Sequence, residues 1–365
     1  MLNYPIKNTF VDNQISICRG DSMKKFEELF EDDTKNVQRV ASNEYLENGN
    51  IAIVDQGKKL VVGYTDNENY KICKEKRIIF GDHTRIFKYV DIPFITGADG
   101  TKVLKLIDSK NNDYKYFYYY LQHSYIPNTG YNRHYKWVKE LMFNVPGLEE
   151  QKEIAKKLDM VQEIINTKQN QLDELDNLIK SQFVEMFGDP INNQKGFPLI
   201  KVGDVFEFEG GSQPDKKYFE YQPSEDNIRL IQIRDYKSND YITYIPKEKA
   251  KRFCTANDIM IGRYGPPIFQ ILKGIEGAYN VALMKAVPKK GNIEFLRQFL
   301  KQECLLHYLE GLSGRTAGQA GIEMPKLKNY PFPYPPLELQ NQFANFVEHI
   351  DKLEFEQKKV CPVCE

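Results

Sequence analysis

The feature that most constrains this chain is an apolar seam between Val145 and Pro190. Ile154, Leu158, Val161, Ile165, Lys168, Leu172, Leu175, Ile179, Gln182 and Met186 follow one another at alternating spacings of 4 and 3, and only Lys168 and Gln182 are polar. A 3.5-residue apolar repeat sustained this long marks a helix that pairs along its length with another. Pro146 stands ahead of the first turn, Glu149, Glu150 and Glu153 lie near the positive end of the macrodipole, and Gly188-Asp189-Pro190 stops the helix. At about 1.5 Å per residue the seam makes a rod of roughly 50 Å, a length that suits a spacer.

A striped helix needs a partner, and the chain supplies one. Leu339, Phe343, Phe346, Ile350, Leu353, Gln357 and Val360 repeat the same rhythm. The lead-in is repeated too. Pro146-Gly147-Leu148-Glu149-Glu150-Gln151 answers Pro335-Pro336-Leu337-Glu338-Leu339-Gln340 at an offset of 189 residues, which sets Ile154 on Phe343, Leu158 on Val347 and Val161 on Ile350. A repeat of this length, with a helix closing each copy, implies two homologous halves.

With 365 residues, each half can bury its own core, and 41% hydrophobic with 28% charged residues is ordinary globular composition. Six cysteines (18, 73, 254, 304, 361, 364) have no framework spacing, which fits a reducing cytosol. No apolar run approaches the roughly 20 residues of a membrane span, so no membrane partner is expected. Net charge is −1, with ten acidic against five basic side chains in residues 146–190. Charge over the whole chain therefore gives no sign of a nucleic-acid partner.

The first half reads as strands and turns. Gly49 to Gly57 is turn, strand, turn, answered by Leu60-Val61-Val62-Gly63 across a hairpin. Arg77–Gly81, Thr84–Val90 and Lys102–Ile107 are further strands. Tyr114 to His123 is an aromatic-rich helix, for which core packing is favoured over stacking on bases. Tyr125 to Trp137 is a polar-aromatic loop of the kind that contacts phosphates and base edges, or simply a solvated loop. In the second half Leu199–Phe208 is a strand pair leading into the turn Gly210-Gly211-Ser212-Gln213-Pro214. Leu230–Asp235 alternates as a strand, Asn257–Gly265 mirrors the turn-strand-turn at Gly49, and Glu294–Tyr308 is an amphipathic helix matching the Tyr114 helix. Ser313–Gly321 is a small-residue loop. The fold class expected is α/β: two mixed α/β domains in tandem repeat, separated by two long helices that pair as a coiled coil. The divisions fall at 1–144, 145–190, 191–336 and 337–365, the last a shortened helix.

In this order of parts the chain resembles the specificity subunits of type I restriction-modification systems. The two P-x-L-E-x-Q lead-ins with their helices, the Gly-Gly-Ser-Gln-Pro turn, Asn257–Gly265, Asn280-Val281-Ala282-Leu283, Gly314–Gly321 and the run Lys326–Pro336 carry the likeness. The resemblance implies that each half is a target-recognition domain binding one part of a bipartite double-stranded DNA site, while the two helices, paired as an antiparallel coiled coil, hold the halves apart. A roughly 50 Å rod matches about 15 base pairs, enough for half-sites more than a helical turn apart. It also implies two methyltransferase subunits and restriction subunits as partners, in a prokaryotic cytoplasm. S-adenosylmethionine, ATP and Mg would be used by the complex, with none bound by this chain.

The motifs missing from the chain agree with that division of labour. There is no glycine-rich methyl-donor turn, no Asn-Pro-Pro-aromatic element and no phosphate loop. Pro214-Asp215 followed by Glu220-Tyr221-Gln222 imitates a nuclease carboxylate pair, but Gln222 stands where such a site wants lysine. The five histidines lack ligand spacing, and Cys361-Pro362-Val363-Cys364 has no second pair for a closed zinc site. No catalytic or metal residue is therefore expected.

Candidate DNA contacts are Gln56, Lys58, Lys59, Asn128, Asn132, Arg133 and Lys136 in the first half. In the second they are Ser212, Gln213, Arg234, Arg263, Tyr264, Arg315, Thr316 and Gln319. Arginine bridges guanine O6 and N7, while asparagine or glutamine bridges adenine N6 and N7. The second helix ends near Val360, which leaves Leu172, Leu175 and Ile179 to be covered by a partner subunit or marks a truncated product. A coiled-coil adaptor that binds protein alone is the alternative from another class.

Overall fold

The computed structural model describes residues 23–130, 132–264, 268–312 and 321–360. Two compact units emerge, Met1–Ile164 and Ile165–Glu365, with one long helix running through the division.

In chain order the first unit holds β1 (Met23–Lys25), a single turn α1 (Phe26–Leu29), β2 (Phe30–Asp32), β3 (Ile51–Val54), β4 (Gly63–Thr65) and β5 (Arg77–Gly81). It continues through β6 (Phe87–Val90), β7 (Phe94–Thr96), β8 (Thr101–Leu106), α2 (Tyr114–His123), a turn α3 (Tyr135–Val138), β9 (Met142–Asn144) and the start of α4 (Leu148–Phe187). One sheet runs β2-β8-β5-β6, all antiparallel. A second runs β4-β3-β7 with β3 and β7 parallel, and β1 pairs with β9. The all-apolar Ile-Ala-Ile-Val of β3 and the buried Ile-Ile-Phe of β5 suit strands covered on both faces. The hairpin expected at Leu60–Gly63 forms a few residues later, at Gly63–Thr65, where Tyr64 faces Ala52.

Asp113 caps α2 by accepting from the Tyr116 amide at 2.9 Å. Tyr114, Tyr116, Phe117, Tyr119 and Leu121 are buried in the core, with Phe117 edge-on to Phe30. The tyrosine hydroxyls are already engaged: Tyr116 donates to the Asn144 carbonyl, Tyr120 to that of Met142 and Tyr119 to Asp159. The aromatic row is thus mostly core, with Tyr118 and Tyr120 partly covered beside it.

The second unit holds β10 (Leu199–Lys201), a turn α5 (Val202–Val205), β11 (Phe206–Gly210), β12 (Asn227–Ile231), β13 (Tyr244–Pro246), β14 (Phe253–Cys254), β15 (Ile259–Gly262) and β16 (Gln270–Lys273). Then come β17 (Gly277–Tyr279), β18 (Leu283–Pro288), α6 (Ile293–Leu300), α7 (Glu303–Leu312), α8 (Met324–Asn329), β19 (Pro331–Pro333) and α9 (Leu337–Val360). Its sheets, β11-β18-β15-β16 and β13-β12-β17-β14, repeat the first unit's plan with β14 added, and β10 pairs with β19. Even the parallel pair recurs, β12 with β17.

This order corrects the sequence alignment of the halves. Asn257–Gly265 contains β15, whose place is that of β5, whereas the counterpart of the Gly49 strand is β12. Short apolar runs between turns look alike in sequence, and only strand order separates them. Beyond Ile231 the expected strand to Asp235 becomes a 3-10 turn, Ile233–Tyr236. The single helix expected over Glu294–Tyr308 is two, since α6 stops at Leu300 and α7 restarts at Glu303.

The long seam divides into segments. In the first unit Ala155 and Ile154 pack on the core of Phe26, Phe117 and Phe143. Next, Met160, Val161 and Ile164 are half exposed to solvent, while Leu158, Ile165 and Lys168 are partly covered. In the second unit Leu175 and Ile179 join the core, and the deepest residues are Phe183 and Phe187 rather than the seam's Gln182 and Met186. Both rings meet Phe343 of α9 and Phe295 of α6, with Phe183 5.5 Å from Phe343 and 5.7 Å from Phe295. The end of α4 thus meets the start of α9, an antiparallel pairing. Its buried stripe leaves the heptad for the i, i+4 ridge Leu175, Ile179, Phe183, Phe187, the pattern that packs helices against several elements at once. Phe343, Val347 and Ile350 line α9's buried face, Phe346 is partly covered, and Leu353 is exposed. Leu172 is partly covered, so the exposed apolar side chains of α4 are not Leu172, Leu175 and Ile179 but Met160, Val161 and Ile164, with Leu178 and Val184 further along.

Each long helix is fastened to its own unit by the same residue. Gln151 is fully buried, donates to the Pro146 carbonyl at 2.8 Å and accepts from the Asp113 amide at 2.8 Å. Gln340 is fully buried, donates to the Pro335 carbonyl at 2.8 Å and accepts from the Asn292 amide at 2.9 Å. Asp113 and Asn292 are the caps of α2 and α6, so the repeated lead-in motif locks two helices together in each half.

Candidate nucleic-acid interface

In the first unit four loops meet: residues 55–60, 82–86, 97–100 and 128–134. Lys88, buried in β6, donates to the Asp55 carbonyl at 2.7 Å and also reaches the Lys59 carbonyl. Burial pulls the Lys88 pKa down, and Asp55 at 3.6 Å opposes that. This peg sets the loop carrying Gln56, Lys58 and Lys59. Gln56 donates from Nε2 to the Asp99 carbonyl at 2.9 Å and accepts at Oε1 from the His83 amide at 3.2 Å, while Thr84 donates to its carbonyl. Its amide organises three loops rather than standing free for a base. Lys58 and Lys59 are exposed beside it.

The 128–134 loop is anchored on Asp82, itself buried. His134, fully buried, sets Nδ1 2.9 Å from the Asp82 carbonyl, which can only accept, so Nδ1 carries the proton. The Tyr135 amide donates to the Asp82 carboxylate at 2.7 Å. Asn128 accepts from the Gly130 amide at 3.2 Å, and Asn132 turns back on Thr129. Asp99 sits between Arg39 at 2.9 Å and Arg133 at 3.4 Å, all three well exposed, so these are weak surface pairs that a phosphate can displace. Lys136 leans over the Trp137 ring at 4.9 Å. The fold thus gathers Gln56, Arg133 and Asn132 at one rim, with Lys58 and Lys59 on the Gln56 loop. It adds His83, Arg85 and Arg39, which sequence reasoning missed because lone polar side chains in strands and turns carry no signal.

In the second unit the Gly-Gly-Ser-Gln-Pro turn packs against residues 279–283. The Gly211 and Ser212 amides donate to Leu283 and Tyr279 carbonyls, each at 3.1 Å. A Cβ on Gly211 would lie 1.9 Å from the Asn280 oxygen, so this approach admits glycine alone. Arg263 reaches the Val281 carbonyl at 3.4 Å and lies 5.2 Å over the Tyr264 ring. Ser212, Arg263 and Tyr264 therefore share this rim, and Gln213 folds onto the Pro214 carbonyl. Arg234 is committed elsewhere, bonding the Tyr241 carbonyl at 3.2 Å and Thr243 at 3.1 Å. Beside it burial pushes the Asp235 carboxyl up, against the Gln232 amide and Arg229. Arg315, Thr316 and Gln319, like Cys361 and Cys364, lie outside the described residues.

A basic patch of surface adjoins Ser212. Lys249, Lys251 and Arg252 lie there beside Ser212, Pro214 and Tyr279, over the apolar Leu230, Ile245 and Ala278. The Lys217 and Lys249 ammoniums stand 5.0 and 5.2 Å from the Tyr218 ring centre, and Lys251 and Arg252 are exposed without an ion pair among the described residues. The run Lys247-Glu248-Lys249-Ala250-Lys251-Arg252 was the available signal. The nuclease imitation dissolves: Asp215 caps the turn at Lys217, and Glu220 accepts from Asn227. Among the described residues no group of three or more His, Cys, Asp or Glu side chains is placed to hold a metal ion. Nor does any helix among them have the length and apolarity to cross a membrane.

Two α/β units on one topology, each closed on a long helix and each with a polar, cation-bearing rim, define a tandem recognition architecture. The family model described as type I restriction modification DNA specificity domain matches twice, over residues 21–177 and 194–360. The Escherichia coli type I restriction enzyme EcoR124I/EcoR124II specificity subunit is 24% identical over 348 residues, spanning 86% of this chain and 82% of that protein. A putative type I restriction enzyme MjaX specificity subunit from Methanocaldococcus jannaschii is 25% identical over 337 residues, 80% of this chain and 76% of its own. In fold, the chain resembles the type I restriction-modification S subunit from M. genitalium, with a TM-score of 0.54 at 16% identity, covering 93% and 91% of the two chains. The chain belongs to the type I restriction-modification specificity family, and its role is DNA recognition within such a system.

Proposed function

We propose that the chain recognises a bipartite double-stranded DNA site, one half-site per unit, and directs partner methyltransferase and restriction subunits to it. The observation that carries this reading is the duplication itself: the same sheet plan, closed by the same glutamine, presents a polar rim twice. Arg133, Lys58 and Lys59 in the first unit and Ser212, Arg263 and Tyr264 in the second are the contacts that fit base edges and phosphates. The paired helices act as the spacer. Methyl transfer and cleavage then fall to the partners, which would use S-adenosylmethionine, ATP and Mg. Met160, Val161 and Ile164, exposed on α4, favour a partner subunit docking there.

The test is methylation by this chain purified with its methyltransferase subunits, mapped at base resolution. A two-part motif with a fixed gap is expected, and replacing residues 195–330 with a relative's should change one part only. A continuous motif, or a change in both parts, overturns the assignment of one half-site to each unit, and no methylation at all overturns the reading in favour of a protein-binding adaptor or an inactive subunit.

A further inference from the structure

The two units carry the same loop at the end of the same strand, braced in different ways. The Gly97 amide donates to the Val54 carbonyl at the end of β3, and the Asn280 amide to the Ile231 carbonyl at the end of β12, each at 3.0 Å. A Cβ added to Gly81 would meet Gln56, and one added to Gly262 would meet Ile233. Residues 232–243 after β12 are therefore the counterpart of the loop that carries Gln56, Lys58 and Lys59. They start beside Tyr279 and Asn280, on which the Ser212 turn rests, and beside Gly262, which precedes Arg263. The loop thus shares the rim of Ser212, Arg263 and Tyr264.

Its bracing is heavier than a connector needs. Buried Asp235 accepts from the Gln232 amide at 3.3 Å and from Arg229 Nε at 3.4 Å, and Arg229 also donates to Asn239 at 3.1 Å. Arg234 spans the Tyr241 carbonyl and the Thr243 hydroxyl, which Gln232 also reaches at 3.0 Å. Fixing backbone costs about 1–2 kcal/mol per residue in entropy, which a connector has no use for and a recognition loop recovers as preorganisation. What the bracing holds out is Tyr241, 69% exposed, with the Arg234 guanidinium 6.0 Å from its ring centre. A single exposed apolar side chain is ordinary by itself. One pinned at its carbonyl and backed by a cation is a contact made ready in advance. Asp240, exposed next to it, repels a phosphate, so the position suits a base edge. There the ring can lie on a thymine methyl and the hydroxyl can bond a base.

We propose that residues 232–243 form the base-reading loop of the second unit, with Tyr241 meeting a base pair of its half-site and Arg234 positioning Tyr241. The inference rests on the bipartite reading above and names the side chain that carries part of it. Arg234 is a positioning residue because its donors are spent on Tyr241 and Thr243.

The experiment maps methylation by the assembled methyltransferase complex over a DNA library varied at each position of both half-sites. Exchange of residues 195–330 first marks the half-site that the second unit reads. Tyr241→Ala should lower discrimination at one or two adjacent base pairs of that half-site about tenfold and leave the other half-site unchanged. Arg234→Lys keeps the charge but not the planar fork that spans Tyr241 and Thr243. It should relax the same base pairs and add nothing to the effect of Tyr241→Ala when the two are combined, whereas a merely structural role would lower methylation evenly. A Tyr241→Ala complex with full preference at every position overturns the inference. So does an even loss across all sequences, which would set the loop against a phosphate or a partner subunit. Tyr241 is exposed, so its removal leaves the core intact, and should Arg234→Lys fail to fold, Tyr241→Ala decides alone. If the unaltered complex shows no gapped motif, the bipartite reading fails by itself, before any variant is compared.

Discussion

Arg85 and Phe269 hold the same post in the two units. Each is a non-glycine residue in left-handed backbone, at φ 62° and 61°, and each donates its amide to the glycine ending the preceding strand, Gly81 at 2.7 Å and Gly262 at 3.0 Å. Such backbone costs about 1 kcal/mol or more outside glycine. Phe269 offsets that by packing in the core, whereas Arg85 is half exposed and gains one bond to the Ile126 carbonyl at 3.2 Å.

Arg85→Gly should therefore stabilise the first unit by up to about 1 kcal/mol, a rise of roughly 2–4 °C in Tm. Arg85→Ala should give no such rise. Phe269→Gly should lower Tm, because lost burial exceeds relieved strain. Differential scanning calorimetry of the three variants decides it. If Arg85 also faces DNA, both of its variants will weaken binding to the first half-site alike.

Phe183 joins three helices of the second unit, standing against Phe295 and Phe343 with almost no exposure. Phe183→Ala should cost about 3–5 kcal/mol, while Val184→Ala, half exposed one residue on, should cost under about 1 kcal/mol. Urea unfolding of the two variants provides the comparison.

The exposed cations Lys251 and Arg252 predict a salt effect. Lys251→Glu with Arg252→Glu should weaken binding of DNA regardless of its bases and shallow the log Kd against log salt slope by about 2. The bases read by the second unit should stay the same. An altered motif with an unchanged slope would assign these cations to base reading instead.

Alkaline pH tests the buried tyrosines. Burial pushes the hydroxyl of Tyr279, nearly inaccessible, up to about 12, and those of Tyr135, Tyr236 and Tyr330 higher still. Their folded-state values lie above the unfolded value near 10, so above that pH the unfolded chain loses these protons first. Stability is thus fully present below about pH 10 and falls as pH rises towards 12, by up to about 1.4 kcal/mol per pH unit for a group such as Tyr279. Urea titrations at intervals above pH 9 should show the decline, and Tyr279→Phe should lessen it.

Much of the architecture was open to reading because it is periodic. The seam of α4, the duplicated lead-in and the α2 helix each repeat a spacing that geometry imposes. What stayed hidden depends on partners distant in sequence. Nothing local distinguishes Phe183 and Phe187 from Gln182 and Met186 until α6 and α9 are in place. Gln151 and Gln340 were visible as a motif, yet their bonds to Asp113 and Asn292 join positions that no periodicity connects. The rims were legible only in part. Gln56 has the chemistry of a base reader, but its amide is occupied by Asp99 and His83, which only the folded loops reveal. Arg234 likewise turned towards Thr243.

The pairing of β1 with β9, and of β10 with β19, has a consequence for grafting one unit into another chain. Leu199 lies opposite Pro333 and Lys201 opposite Pro331, so the chain enters and leaves the second recognition domain through two strands zipped to each other. Met23 opposite Asn144 does the same for the first. A domain whose ends are zipped together is a portable cassette. Joints made just outside Leu199 and Pro333 would carry both strands in one piece, so a grafted domain would be received without severing a sheet.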